Sequence, residues 1–304
     1  MITIERLSNC TLTDVLEAWN SGFKGYFTDM TMTMDYFLQR MVQEGFSAED
    51  SIVAFVSGVP AGIVLNGFRS KQGKLIGYNG GTGVAPEFRR TGVGKRMMEA
   101  VLDIYRDKGV DTATLEAIHS NDAAIALYRS LGYQVTDRVE FLQQNGVMEG
   151  LQSVPDTGSW SFVRKDRETI QQLPFYDDGA PWQTQWQSVH NGEVLIALSD
   201  GGKAVGYALY RRVFKENTVS TIILHQYGIS PLTENPDELR SALLAKVFAP
   251  ELSCKRIVIN LSKQKLADYE AVRRLGFETM IEQVCMEKNM RESMKVNATC
   301  VEEI

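Results

Sequence analysis

Arg89-Arg90-Thr91-Gly92-Val93-Gly94 stands directly before an amphipathic segment and decides how this chain is interpreted. Two glycines around one residue at a helix start let consecutive backbone N–H groups converge on an anion, because no Cβ obstructs them. The helix start adds a partial positive charge, and Arg89, Arg90 and Lys95 add full charges. The stretch predicts a cradle for a diphosphate. From these residues alone, a tight strand-to-helix turn that binds nothing stays open as the alternative.

Two other phosphate-binding loops do not fit this stretch. A Walker A loop needs glycine where Arg89 stands, and serine or threonine where Arg96 follows Lys95. A dinucleotide fingerprint that starts at Gly92 needs glycine or alanine at Met97. The predicted cradle is therefore of another kind.

Strands and helices alternate around the cradle. Two β-rich runs separated by a turn predict an antiparallel hairpin, and Pro86 ends the strand that follows. Apolar residues from Val93 recur at helical spacing up to a stop at Gly109. The predicted elements are strands at 51–56, 61–69 and 74–84, a helix from 93, a strand at 112–118, a helix from 120 or 121 to 132, and a strand at 135–141.

The second half of the chain repeats the first. A length of 304 residues already predicts two domains. Gly83-Val-Ala-Pro86 recurs as Gly228-Ile-Ser-Pro231, and Leu131-Gly-Tyr133 recurs as Leu275-Gly-Phe277, at offsets of 145 and 144 residues. Offsets this similar indicate two copies of one fold. We place the boundary in the glycine-containing segment 146–159, which gives domains at 1–145 and 160–290.

Two motifs together resemble those of the GNAT N-acetyltransferase family. Val84-x-Pro86 with Arg89-x-x-Gly92-x-Gly94 resembles its coenzyme A pyrophosphate motif, and Asn121-x-x-Ala124-x-x-Leu127-Tyr128-x-x-x-Gly132-Tyr133 resembles its second motif. The resemblance covers residues 1–145 well and the second half only in outline. It implies two GNAT-like α/β domains in tandem, of which the second is degenerate. In the first, it implies a mixed sheet splayed to admit the pantetheine arm. It also implies transfer of an acetyl group from acetyl-CoA to a primary amine of a small molecule or peptide.

The resemblance implies roles for particular residues. Tyr128 would protonate the departing thiolate, Glu116 would deprotonate the ammonium, and backbone N–H groups near Val84 would stabilise the oxyanion. The residues expected to bind the coenzyme are Gly83, Val84, Arg89, Arg90, Thr91, Gly92, Val93, Gly94, Lys95 and Asn121. From the sequence itself, Tyr128 could equally belong to the core, Glu116 could be a solvated strand carboxylate, and Asn121 an ordinary N-cap.

The second half lacks the features of the cradle. At the repeat offset, carboxylates replace Arg89 and Gly92, and a leucine replaces Gly94. These changes oppose phosphate binding, so we expect a scaffold domain without a coenzyme site. The replacing residues are Glu234, Asp237 and Leu239, with Val272 and Lys265 at the positions of Tyr128 and Asn121.

Composition excludes several classes of protein. A net charge of -6 disfavours nucleic acid, because phosphate backbones need a basic face. The four cysteines are scattered and the three histidines lack metal-ligand spacing, so we predict no metal. No apolar run approaches the ~18 residues of a membrane span, and charge near Met1 opposes a secretory signal. We expect a cytoplasmic protein without membrane contacts.

The segment before the first hairpin is expected to recognise the acceptor amine, because this region varies with substrate in the family. Its aromatic and methionine residues predict an apolar lining, although such a stripe is more often core packing. They are Phe23, Tyr26, Phe27, Met30, Met32, Met34, Tyr36 and Met41.

Two alternative functions stay open. One is a coenzyme A-binding sensor without turnover, and the other is a protein acetyltransferase that docks its partner through the second domain. Because a fused second copy could replace the dimer contact common in the family, we expect a monomer.

Overall fold

Contacts among the residues divide the chain into two units. The computed structural model of the protein describes residues 1–148, 151 and 160–291. The first unit comprises residues 1–136 and the chain from Cys285 onward, and the second comprises Asp137–Val284. Most of the boundary segment predicted at 146–159 lies outside the described residues, as does Cys300.

The first unit contains the predicted hairpin, third strand and two helices. Two helices and one strand without predicted bounds precede them. In chain order, the elements are β1 (Ile2–Arg6), α1 (Leu12–Gly22), α2 (Met34–Glu44), β2 (Ile52–Val56), β3 (Val59–Lys71), β4 (Lys74–Val84), α3 (Val93–Asp107), β5 (Thr112–Ile118), α4 (Asp122–Ser130) and the start of β6 (Gln134–Gly146).

The second unit repeats this order of elements. Short 3-10 helices at Arg167–Gln172, Trp182–Thr184 and Trp186–Ser188 stand between its first two strands, where the first unit has α1 and α2. Its helices and strands are β7 (Trp160–Asp166), β8 (Glu193–Ser199), β9 (Ala204–Lys215), β10 (Thr218–Ile229), α5 (Pro236–Phe248), β11 (Cys254–Ser262), α6 (Leu266–Arg274) and β12 (Glu278–Asn289).

Each unit has a mixed sheet, which confirms the predicted fold class. In the first unit, β1 to β4 pair antiparallel in sequence order, and β5 pairs with β4 in parallel. In the second unit, β7 to β10 pair antiparallel in the same way, and β11 pairs with β10 in parallel. The helix between the two parallel strands, α3 or α5, buries an apolar face on its own unit's sheet.

The closing strands do not follow the predicted domain limits of 1–145 and 160–290. From Asp137 onward, β6 belongs to the second unit, where it pairs antiparallel with β11. Buried Glu140 fixes it there by accepting hydrogen bonds from Lys263 at 2.7 Å and Tyr269 at 2.9 Å. The end of β12 belongs instead to the first unit, where the Met290 N–H donates to the Asp111 carbonyl at 2.9 Å. The difference arises because strand partners distant in sequence leave no local pattern.

A β-bulge occurs at the same place in both units. In β4, the register against β3 shifts between Asn79 and Gly81, so that Gly80 is the extra residue. In β10, it shifts between Leu224 and Gln226, so that His225 is the extra residue. These positions lie 145 residues apart, at the repeat offset. Since bulges bend strands and redirect side chains, each unit has a kinked central strand.

Candidate active site

The central sheet of the first unit opens beyond Asn79. Parallel pairing of β4 with β5 covers only residues 76–79 and 112–115, yet both strands continue, to Val84 and Ile118. The bulge at Gly80 coincides with this separation. Unpaired strand edges offer backbone donors and acceptors to an extended chain. The opening is the splay that the sequence resemblance implied.

The predicted anion cradle lies at the start of α3. Gly92 is the N-cap residue with φ +91°, and no side chain caps the helix. The first N–H groups of a helix have no partner within it, so this end offers donors to an anion. A Cβ added to Gly92 would meet nothing within 4 Å, so backbone conformation, not space, requires glycine there. Gly94 differs, because its added Cβ would lie in ordinary contact, 3.5 Å from Leu127 and Val84.

The guanidinium of Arg89 is turned towards the protein. Its Nε donates to the Val84 carbonyl at 2.8 Å, and one terminal nitrogen donates to the Lys24 carbonyl at 2.7 Å. Arg89 therefore ties the loop to the end of β4 and to the chain after α1. Arg90, with φ +62°, and Lys95 are exposed. Arg89 is exposed as well, so all three charges lie at the surface of the cradle.

Glycine is required at position 83 for a packing reason that the sequence did not reveal. It is buried, and α1 approaches its backbone so closely that a Cβ on Gly22 would lie 2.9 Å from the Gly83 carbonyl carbon. A Cβ on Gly83 itself would lie 2.9 Å from the ring of Phe23. Both glycines are thus needed to seat α1 on β4, immediately before Val84.

Tyr128 lies on α4, with 6% of its surface exposed. Burial raises the pKa of Tyr128 to about 12, and its hydroxyl lies close enough to Thr82 on β4 for that side chain to lower the pKa in part. The phenol is therefore protonated at neutral pH and faces the splayed part of β4. A core role and a catalytic role are compatible, because the ring is buried while the hydroxyl has a polar neighbour on that strand.

Asn79 and Thr82 were missed by the sequence analysis. The Asn79 Nδ2 donates to the Thr82 hydroxyl at 2.8 Å, and its Oδ1 accepts from the Gly81 N–H at 3.1 Å. This buried amide fixes the bulge and the hydroxyl that contacts Tyr128. An asparagine in a strand of small residues was the available signal, since asparagine is depleted from strands.

Glu116 is half-buried on β5 and accepts a hydrogen bond from the Tyr78 hydroxyl at 2.7 Å. Burial, with the nearby Glu116 charge, raises the pKa of Tyr78 well above its usual value. Arg40 lies on the same side, donating to the Gly80 carbonyl at 3.0 Å. The carboxylate is therefore part of a buried polar group and is not a freely solvated strand residue.

Asn121 is the N-cap of α4. Its Oδ1 accepts a hydrogen bond from the Ala124 N–H at 3.2 Å. This is the ordinary N-cap role that the sequence offered as the alternative to coenzyme binding. The pKa of Tyr26 is raised by burial, and the nearby Asn121 side chain lowers it in part. Asn121 thus lies beside the segment expected to recognise the acceptor.

That segment combines core residues with exposed apolar ones. Trp19 donates its indole N–H to the Met30 carbonyl at 2.8 Å, and Phe37 is buried. Phe27 and Tyr36 remain 54% and 56% exposed. The exposed rings leave apolar surface available to an acceptor.

The corresponding positions of the second unit have different surroundings. Asp237 and Glu238 occupy the first turn of α5, and Leu239 is buried in the core. Asp237 pairs with Arg240, and Lys265, at the position of Asn121, pairs with Asp177 at 2.6 Å. Carboxylates at the start of α5 repel phosphate, which agrees with the expected loss of the cradle.

Comparisons with known proteins place the first unit in a class. Residues 12–133 match the sequence model of the Acetyltransferase (GNAT) family. The [ribosomal protein bS18]-alanine N-acetyltransferase of Salmonella typhimurium is 48% identical over 50 residues, 16% of this chain and 34% of the relative. The mycothiol acetyltransferase of Nocardiopsis dassonvillei is 30% identical over 131 residues, 40% of each chain. The matched stretches thus span only about a third to two fifths of these relatives.

A solved structure resembles the whole chain. The crystal structure of a GCN5-related N-acetyltransferase from Sphaerobacter thermophilus has a TM-score of 0.66 at 15% identity, covering 95% of this chain and 96% of that chain. At that identity the likeness concerns the fold alone. The matched segment 12–133 contains the cradle, Glu116 and Tyr128, and its class is that of an acetyltransferase domain. Residues 12–133 are thus a GNAT-family domain within the chain.

Two further observations concern the described residues. Among them, no helix is long and apolar enough to cross a membrane. No group of three or more His, Cys, Asp or Glu in that part of the chain could hold a metal ion.

Proposed function

We propose that the first unit transfers the acetyl group of acetyl-CoA to a primary amine by direct attack. One juxtaposition carries the proposal: the protonated hydroxyl of Tyr128 lies beside Thr82, in the part of β4 that has separated from β5 and just before the uncapped start of α3. Diphosphate binding, a channel for an extended arm and a proton donor are thereby supplied within one unit.

In this proposal the loop binds the coenzyme pyrophosphate mainly through its backbone. The N–H groups of Val93, Gly94 and Lys95 point from the helix start, and the left-handed conformation of Gly92 aims them outward. Exposed Arg90 and Lys95 add charge. Thr91 shapes the turn, because its hydroxyl donates to the Phe88 carbonyl at 2.7 Å. Arg89 braces the loop through the carbonyls of Val84 and Lys24, and its exposed guanidinium adds a third charge.

The pantetheine arm would follow the free edge of β4 past Gly83 and Val84, near Asn121. The amine nitrogen then attacks the thioester carbonyl, backbone N–H groups near Val84 stabilise the oxyanion, and the C–S bond breaks. Tyr128 gives its proton to the departing thiolate, and Glu116 takes the proton that the ammonium loses. The nitrogen loses its second proton as the intermediate collapses, and this proton restores Tyr128. The proton on Glu116 passes to solvent, so both residues return to their starting state.

The acceptor is a primary amine of a peptide or small molecule. The name of the Salmonella relative specifies an alanine amine on a protein, which supports peptide α-amines as one candidate. The exposed rings of Phe27 and Tyr36 offer apolar surface for the residue next to such an amine. The net charge of -6 equally suits small cationic amines.

Thiol release from acetyl-CoA, measured with the full chain against peptides with different first residues, polyamines, aminoglycosides and amino acids, tests the proposal. We expect acceptor-dependent release with one of these classes and a single acetylated amine by mass spectrometry. Tight coenzyme A binding with no release for any acceptor would contradict catalysis and favour a sensor. Acetylation that requires a folded protein acceptor would favour the docking alternative.

A further inference from the structure

The second unit contains a cleft of about 260 Å³ between β10 and β11, lined by residues of that unit alone. Parallel pairing covers only residues 221–224 and 255–258, after which the strands separate. His225 is the bulge residue of β10, and Asn260, with φ +47°, lies where the register of β11 against β6 shifts. Both strands are therefore irregular at the cleft, where a bulge re-aims side chains.

Asn260 is a buried amide without a partner. It is 4% exposed, and among the described residues neither Oδ1 nor Nδ2 has a hydrogen bond. Leaving such a group unpaired costs about 1–3 kcal/mol, and the left-handed backbone adds strain. Neighbouring Gln226 differs, because its amide is satisfied by the Tyr207 hydroxyl at 2.8 Å and the Asp177 carbonyl at 3.0 Å. Both polar atoms of the Asn260 amide can therefore form hydrogen bonds with a ligand in the cleft.

His225 contributes a hydrogen-bond acceptor. Its Nδ1 lies 3.3 Å from the Gln183 carbonyl, and because a carbonyl only accepts, Nδ1 carries the proton. Burial lowers the pKa of His225 to about 4, so the ring is neutral at pH 7. Its Nε2 then has a bare lone pair and no partner within the described chain.

The charged residues of the lining are Asp137, Asp177, Lys265 and Asp268, and the positive charge of Arg211 also acts on His225. Lys265 is engaged with Asp177 at 2.6 Å, and Asp268 with Arg240 at 2.8 Å. Among the described residues, His225 Nε2 and Asn260 Oδ1 are buried acceptors without a partner, which fits an ammonium group. Asn260 Nδ2, a buried donor without a partner among the described residues, fits an oxygen of the same ligand.

We propose that this cleft binds a small primary amine that carries a hydroxyl or carbonyl oxygen close to its ammonium group. The ammonium donates to His225 Nε2 and the carboxylate side of the lining, and the oxygen accepts from Asn260. A volume of about 260 Å³ lies near the lower limit of ~300–1,000 Å³ for ligand pockets, so the ligand is small. The site is independent of acetyl transfer by the first unit, and the carboxylates at the start of α5 keep anionic coenzyme away from it.

The test titrates the full chain, without acetyl-CoA, with glycinamide, propylamine and acetamide by calorimetry at pH 7. Propylamine lacks the oxygen and acetamide lacks the ammonium. We expect glycinamide to bind at least tenfold more tightly than either. Asn260→Gly should weaken glycinamide binding at least tenfold without loss of stability, because φ +47° suits glycine and no hydrogen bond is lost.

Asn217→Gly is the matched control. Asn217 also has a positive φ, +62°, but it is exposed in the turn between β9 and β10, away from the cleft. Its variant should bind glycinamide like the unaltered protein. Equal binding by both variants would overturn the proposal and move the amine elsewhere, including to the first unit. Absence of glycinamide binding at millimolar concentration, or equally tight binding of acetamide, would overturn it as well.

Discussion

Replacement of Gly92 by aspartate separates the role of the cradle from the stability of its helix. The change places at the start of α3 the residue type that the repeat has at Asp237. Gly109, just beyond the other end of α3, is the matched control, since both glycines have positive φ, +91° and +72°, and an added Cβ would meet nothing within 4 Å at either. Gly92→Asp and Gly109→Asp therefore share one source of strain, about 1–2 kcal/mol.

The helix dipole makes their stabilities differ. Aspartate is favourable near a helix start and unfavourable near its end, by about 0.3–1 kcal/mol each. Gly92→Asp should thus cost roughly 1 kcal/mol and Gly109→Asp roughly 2 kcal/mol. Coenzyme binding should follow the opposite order. A carboxylate about 4 Å from a phosphate at an effective dielectric constant of about 20 costs about 4 kcal/mol, or about a thousandfold in Kd.

Calorimetric titration with coenzyme A, together with thermal unfolding, measures both quantities. We expect the less stable variant, Gly109→Asp, to bind coenzyme A normally, and the more stable variant, Gly92→Asp, to lose binding. Equal affinities for the two variants would refute the assignment of the cradle. A parallel loss of affinity and stability in both would show that binding merely follows folding.

Three further predictions concern other residues. Tyr128→Phe should lower kcat about 10²–10⁴-fold with little change in coenzyme affinity. The control, Tyr133→Phe, removes a buried hydroxyl without a partner in the described chain and should leave kcat unchanged. Equal rates of thiol release by the two variants would make Tyr128 a core residue only. Burial lowers the pKa of His225 to about 4, so as pH falls the unfolded state binds the proton before the folded state does. The free energy of unfolding of the second unit should therefore fall by about 3 kcal/mol between pH 6.5 and pH 4. Denaturation of His225→Gln at the same pH values should not show this loss. Arg256 is fully buried and donates to five main-chain carbonyls, including that of Phe248 at 2.8 Å. Arg256→Met leaves these carbonyls unpaired and should lower the free energy of unfolding by about 3–5 kcal/mol. An unchanged denaturation midpoint would contradict this.

Much of the fold could be predicted because its signals are local. The start of α3 at Val93 follows from glycine at the N-cap and from an apolar face at helical spacing, and the structure begins the helix there. The hairpin and the fold class were predictable for the same reason. The strand predicted at 135–141 exists, but it is longer, Gln134–Gly146, since pairing with β11 extends it.

Site residues were less predictable when their surroundings come from distant segments. Arg89 has a side chain of the type that binds phosphate, but its guanidinium donates hydrogen bonds to the carbonyls of Val84 and Lys24. Asn79 gave only a weak signal, although it organises the bulge beside Tyr128. A side chain's partners depend on which backbone the fold brings close, and sequence spacing does not contain that information.

The sequence by itself determined the cradle, the second motif, the repeat and the class of the first unit, because each depends on residue type at short, fixed spacing. Only the tertiary structure decided that β6 lies with the second unit and the end of β12 with the first. It alone also showed that the second unit, without the cradle, keeps a splayed cleft with an unpaired amide at Asn260. Hydrogen bonds between strands and the burial of a polar group are properties of residues far apart in the chain, and they exist only once the sheet has formed.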